Sequence, residues 1–266
     1  MDTVISTDGT TIAYEREGTG PTIVFVSGAF NDRTTCAALA ERLRDRYTVV
    51  CVDRRGRGDS TDAIAPEDAG SYEPQREIDD LDAVIAATGG PAAIFGFSSG
   101  AILALQAAVA GSAISHLMLY EAPFAIGGLA GAARPGLPAR LAEHIANGEA
   151  GDAVATMQID GIGIPPERVE QFRQSPMWPQ LEAIAQTVVY DATICEAPNL
   201  PTEAMRELDV PALVLAGSES WPGMREASAT LPEHLRRARY VEVPGGAEHG
   251  IPAEATADAI DAFLRE

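Results

Sequence analysis

Ser98 is the residue of this chain best placed to attack a carbonyl. It sits in Gly96-Phe97-Ser98-Ser99-Gly100, between an apolar run at 92–95 that reads as a buried strand and another at 101–110 that reads as a helix. G-x-S-x-G in that setting is the nucleophile-elbow pattern, a sharp turn that lifts the serine hydroxyl above the sheet edge. Such a turn brings backbones so close that a Cβ at either glycine would clash. It also aims the first helical N–H, that of Ser99, at whatever oxyanion forms there.

A serine hydroxyl attacks readily only when a base takes its proton, and the base needs an acid to orient it. Among His116, His144, His234 and His249, the expected base is His249. It lies in Pro244-Gly245-Gly246-Ala247-Glu248-His249-Gly250, the loop between the last strand and the last helix, which leaves the sheet at the same edge as Ser98. His116 begins a strand at the opposite edge, His144 reads as a surface position, and His234 precedes a strand. Two carboxylates compete for the role of acid. Glu121 directly follows the apolar strand His116-Leu117-Met118-Leu119-Tyr120, where a charge without a partner would be costly. Glu219, in Gly217-Ser218-Glu219-Ser220, is the alternative, and position favours Glu121. A backbone N–H in Ser27-Gly28-Ala29-Phe30, that of Ala29, would complete an oxyanion hole with Ser99. Phe30, Phe97, Phe124, Met177, Trp178 and Trp221 are candidates for an apolar substrate pocket, and each could equally be core.

The elements that must position these residues follow from periodicity. Asp8-Gly9 between two short strands signals a hairpin. Strands at 22–27, 48–52, 92–95 and 116–120 alternate with helical patterns at 34–44 and 78–85 and with the helix after the elbow. On the 78–85 helix Asp79, Asp80 and Asp82 are expected to face water. Alternation implies a mostly parallel, helix-covered sheet, whose ligands bind beyond the carboxyl ends of the strands. From 125 to 206 the alternation stops. A Gly- and Ala-rich entry at 127–136 leads to helical stretches at 137–146, 152–159, 166–174 and 178–189. Strands at 212–216 and 239–243 and helices near 224–229 and 254–264 close the chain. The expected organisation is a core of residues 1–124 and 207–266, with 125–206 inserted as a helical cap.

Composition narrows the chemistry. A chain of 266 residues with formal charge −20 is a poor match for nucleic-acid phosphates or an anionic membrane surface. Arg54-Arg55-Gly56-Arg57 is the one basic cluster of the first half, read as a solvated loop. No lysine is present, which removes Schiff-base chemistry and a Walker-A phosphate loop. The four histidines and the three cysteines, Cys36, Cys51 and Cys195, have no metal-ligand spacing and suggest no disulfide framework. No leader pattern or bilayer-length apolar run is visible, so a cytoplasmic location is expected.

With these residues placed, the chain resembles the α/β-hydrolase superfamily over essentially its whole length. The resemblance rests on Ser27-Gly28, Asp53-Arg54-Arg55-Gly56-Arg57-Gly58-Asp59-Ser60, the elbow, and residues 244–250. It implies an α/β-hydrolase fold. Many members carry the triad acid as Gly-x-x-Asp after the penultimate strand, where this chain has Ser220. The elbow and Glu121-Ala122-Pro123 look like the zearalenone-type lactone hydrolases, in which the acid follows the strand after the elbow helix. The resemblance thus also points to Glu121. The resulting expectation is a cofactor-free serine hydrolase acting on a carboxylic ester or lactone of a mainly apolar small molecule. Carbon–carbon, thioester or perhydrolase chemistry on the same triad, or a ligand sensor without turnover, are the other readings.

Overall fold

A computed structural model describes residues 1–132 and 134–266. Asp8-Gly9 reverses the chain between β1 (Asp2–Ile5) and β2 (Thr11–Glu17), which pair antiparallel from Asp2 opposite Tyr14 to Ile5 opposite Thr11. Strands and helices then alternate: β3 (Thr22–Val26), α1 (Ala37–Leu43), β4 (Thr48–Val52), α2 (Gln75–Ala87), β5 (Ala92–Phe97), α3 (Ser99–Ala110) and β6 (Ile114–Tyr120). After a helical stretch, β7 (Ala212–Gly217), α10 (Pro222–Thr230), β8 (Ala238–Val243) and α11 (Ala253–Leu264) complete the chain. The sheet order is β1-β2-β4-β3-β5-β6-β7-β8. Among the described strands β2 alone runs opposite to the rest.

Strands buried on both faces need apolar residues at every position, and Thr-Val-Val-Cys-Val in β4 and Ala-Ala-Ile-Phe-Gly-Phe in β5 supply them. The strand period of two divides the core. Val24, Val26 and Ile94 pack with α2, α3 and the helices that follow β6. Phe25, Phe95 and Phe97 pack on the other face against α1 and α11. All parallel strands point their carboxyl ends the same way, so the residues after Phe97, Tyr120, Gly217 and Val243 gather along one edge.

Between β6 and β7 the described chain is helical: α4 (Leu137–Ala146), α5 (Ala150–Thr156), α6 (Pro166–Phe172), α7 (Trp178–Ala183), α8 (Thr187–Ile194) and α9 (Glu203–Arg206). The stretch expected as one helix at 178–189 is two, α7 and α8, separated at Ile184, where φ is −113° and ψ 14°. A π-helical turn, Met157–Ile162, extends α5. The Gly- and Ala-rich entry holds one short turn, Gly127–Leu129, and its Ala133 lies outside the described residues. Among the described residues no helix is long and apolar enough to cross a membrane.

The basic cluster is not a solvated loop. Arg54, Arg55 and Arg57 are 3%, 0% and 1% exposed. Arg54 donates to both oxygens of Glu77 at 2.6 and 2.7 Å and to Asp191 at 2.7 Å. Arg57 meets the other oxygen of Asp191 at 2.6 Å. Arg55 forks onto Asp80 at 2.8 and 2.7 Å and reaches Asp8 at 2.8 Å. Asp80 therefore faces inward, 4% exposed, rather than outward as expected. Glu77, Asp80, Leu81 and Val84 share one face of α2, so the buried stripe carries acids where the guanidinium groups lie. Burial alone would raise the Asp191 carboxyl, but Arg57 and Arg54 hold it below its usual range.

The three cysteines are free. Burial, followed by acidic neighbours, pushes Cys51 and Cys195 up to about 12, and burial raises Cys36 further still.

Two outcomes follow. Asp191→Ala leaves two buried guanidinium groups short of a partner and should lower stability by about 3–5 kcal/mol, read from urea denaturation. A thiol at about 12 is only about one part in 10⁴ ionised at pH 8. An Ellman titration of native protein at pH 8 should therefore be slow, with all three thiols reacting promptly in denaturant.

Candidate active site

The elbow folds as its glycines dictate. Ser98 has φ 56° and ψ −125°, a strained conformation for a residue with a side chain. A Cβ at Gly96 would lie 2.5 Å from Ala101 Cα, and one at Gly100 would lie 2.4 Å from the Val26 carbonyl oxygen. The loop after β3 crosses directly over the nucleophile, since a Cβ at Gly28 would stand 2.7 Å from Ser98 Cβ and 3.4 Å from its Oγ. Ala29 and Ser99 line the same cavity as Ser98. The Ser99 N–H opens α3 and so has no carbonyl partner within the helix.

Glu121 follows β6 with φ 49° and is 0% exposed. Its Oε1 accepts the Gly217 N–H at 2.9 Å, and its Oε2 accepts the Ser220 hydroxyl at 2.8 Å. The same Oε2 makes a short contact with Nδ1 of His249. His249 has φ 68° and its neighbour Glu248 φ 51°. Positive φ at Ser98, Glu121 and His249 places backbone strain at all three, as happens where a constellation is held by its surroundings. The His249 ring lies between Phe97, centroids 4.7 Å apart, and Trp221, stacked at 5.5 Å with 17° between planes. Tyr120 Oη ties down the His249 loop by donating to the Gly250 carbonyl at 2.8 Å. Glu219 is exposed, its N–H spent on the Gly245 carbonyl at 2.9 Å.

Ser98, Ser99, Ala29 and His249 open onto one cavity of about 650 Å³, whose wall is mainly apolar, with Leu137, Met157, Ile164 and Met224, but also carries Asn31, Thr35, Arg134 and Asn199. Phe97 and Trp221 of the six pocket candidates also line it. The other four do not. Phe124 is buried core, and Trp178 is buried against Phe172, with its indole N–H on Glu182 at 2.8 Å. Met177 is 53% exposed. Phe30, at φ 61°, packs on the core from the loop after β3. Cap aromatics were ambiguous because a helix start such as Met177-Trp178 does not reveal which way each side chain turns.

The roles of two residues, Ser220 and Asp191, are not legible from local sequence. Ser220 stands where an acid was sought and serves instead as a donor to Glu121. Asp191, deep in α8, accepts the Ser99 hydroxyl at 2.7 Å while bridging Arg54 and Arg57. An aspartate in the midst of the apolar run Thr187-Val188-Val189-Tyr190-Asp191-Ala192 was the available signal for it. Among the described residues no group of three or more His, Cys, Asp or Glu is arranged to hold a metal ion.

Comparison with known proteins bears on the fold and the family. An α/β hydrolase from Sphaerobacter thermophilus has 40% sequence identity and a TM-score of 0.86, covering 99% of this chain and all of that one. A thermophilic esterase from Thermogutta terrifontis shares the fold at 24% identity and a TM-score of 0.73, over 99% of this chain and 97% of that one. The hydrolase YraK of Bacillus subtilis is 34% identical over 116 residues, which span 43% of this chain and 42% of that relative. The model of the alpha/beta hydrolase family matches residues 23–263, and the chain belongs to that family.

Proposed function

We propose that the protein is a serine hydrolase of carboxylic esters or lactones, working through Ser98, His249 and Glu121 without a cofactor. The observation that carries this reading is the buried Glu121 carboxylate in contact with His249 Nδ1. That contact leaves Nε2 as the imidazole nitrogen able to accept a proton from Ser98. Ser98 Oγ attacks the carbonyl carbon, and its proton passes to Nε2. The negative oxygen of the tetrahedral intermediate is taken by the N–H groups of Ser99 and Ala29. The intermediate collapses as the C–O bond to the alcohol breaks, and His249 delivers the proton to the departing oxygen. Water, deprotonated by His249, then cleaves the acyl-enzyme and releases the acid and free Ser98.

The apolar wall of the cavity supports a mainly hydrophobic acyl portion and a small-molecule substrate. Ester chemistry is also what the Thermogutta terrifontis structure is named for. Ser220, standing where many relatives carry the acid, donates to Glu121, so its presence does not favour a sensor without turnover.

Two measurements test the reading. A fluorophosphonate should label Ser98 within minutes, and Ser98→Ala should abolish both labelling and turnover of p-nitrophenyl butyrate. Glu121→Gln should cut kcat by about 10³–10⁴-fold, the scale of losing an orienting carboxylate in a triad. Glu219→Gln, a surface change, should stay within about twofold. A crippled Glu219→Gln with an active Glu121→Gln would overturn the assignment.

A further inference from the structure

Beside the cavity that holds Ser98 lies a second cleft of about 500 Å³. Trp221 and Ile164 line both spaces, so the two adjoin there. The cleft also reaches Glu248, the residue before His249, and Trp221 is stacked on the His249 ring. The cleft thus adjoins the loop that carries the imidazole.

The cleft mixes the apolar Ile164, Val169, Phe172 and Trp221 with polar side chains. Gln158, Gln171 and Ser175 bring polar groups to the cleft, with Arg168 and Glu248 contributing one charge of each sign. Gln158 is the informative one. It sits in the π-helical turn, only 5% exposed. Among the described residues its side-chain amide has no hydrogen-bond partner. Its amide oxygen and nitrogen are not among the buried atoms left without a partner, so they keep contact with solvent at the cleft and are free to bond a guest. The residue that faces this cleft thus offers one acceptor and two donors. With the two charges opposed, a neutral polar guest fits better than an ion.

We infer that this cleft receives the alcohol half of the substrate, and that it selects alcohols bearing uncharged hydroxyl or amide groups through the Gln158 amide. The inference rests on the ester-hydrolase reading and deepens it: an apolar acyl group in the Ser98 cavity, a polar alcohol beyond Trp221.

The test compares 1-monobutyrin with n-butyl butyrate, which share an acyl group, by titrating the butyric acid released. The wild-type protein should prefer monobutyrin in kcat/KM. In Gln158→Met, of similar length and without hydrogen bonds, the preference should fall by about tenfold, the scale of one lost hydrogen bond. An unchanged preference, or none in the wild type, overturns the inference. Should Gln158→Met not fold, the wild-type butyryl-enzyme decides. Formed from p-nitrophenyl butyrate, it should be captured faster by glycerol than by butan-1-ol at equal concentration, and equal or reversed capture overturns the inference. A protein that turns over no ester and resists the fluorophosphonate overturns both readings. One that hydrolyses esters without discriminating alcohols overturns only this one.

Discussion

A carboxylate shut away from water must be satisfied by its surroundings, and the Glu121 side chain sets the terms for everything around it. Burying an ion without partners costs several kcal/mol. Here the carboxylate accepts one backbone N–H, one hydroxyl and one imidazole nitrogen. Glu121 follows β6, and its donors come from the end of β7, the loop after it, and the loop after β8. β6 and β7 must therefore lie side by side. The loop after β8 must fold back over their ends, held by Tyr120 through the Gly250 carbonyl. Ser98 belongs to the same edge because its N–H is bonded to the Tyr120 carbonyl at 2.9 Å.

The guanidinium cluster beneath the site follows the same rule with the signs reversed. Arg54, Arg55 and Arg57 bring cations into the core, and Glu77, Asp80, Asp8 and Asp191 neutralise them there. Asp191 also accepts the Ser99 hydroxyl. The residue that opens the elbow helix is thereby fixed from its side-chain end as well as through its backbone.

Much of this was legible in the sequence where the cause is local. Asp8-Gly9 required its hairpin, and the apolar runs at 22–27, 48–52 and 92–95 left no polar face, so a covered parallel sheet followed. Gly96 and Gly100 announced the close approach at the elbow. The contact between Glu121 and His249 followed from strand ends sharing an edge. The basic run was misread because its neutralising acids lie up to 137 residues away, a distance no local pattern records. Charge alone places Asp80 in water, yet in the core it is neutralised by Arg55. Its spacing with Glu77, Leu81 and Val84 placed it on the inner stripe all along. The pocket aromatics depended on side-chain direction within short helices, which composition does not specify.

The ion pairs of α8 have a mechanical consequence. Its aspartate is bolted to two interior cations and to the elbow helix, so the roof over the cavity cannot swing away as a single plate without stripping charges bare. The π turn and α6 are fastened differently, by the solvent-facing pairs Arg140–Asp160 and Arg173–Asp152, which are weak and easily screened. Charge therefore locks the segment above the nucleophile, while that flank is held by apolar packing of Met157 and Val169 rather than by buried ions.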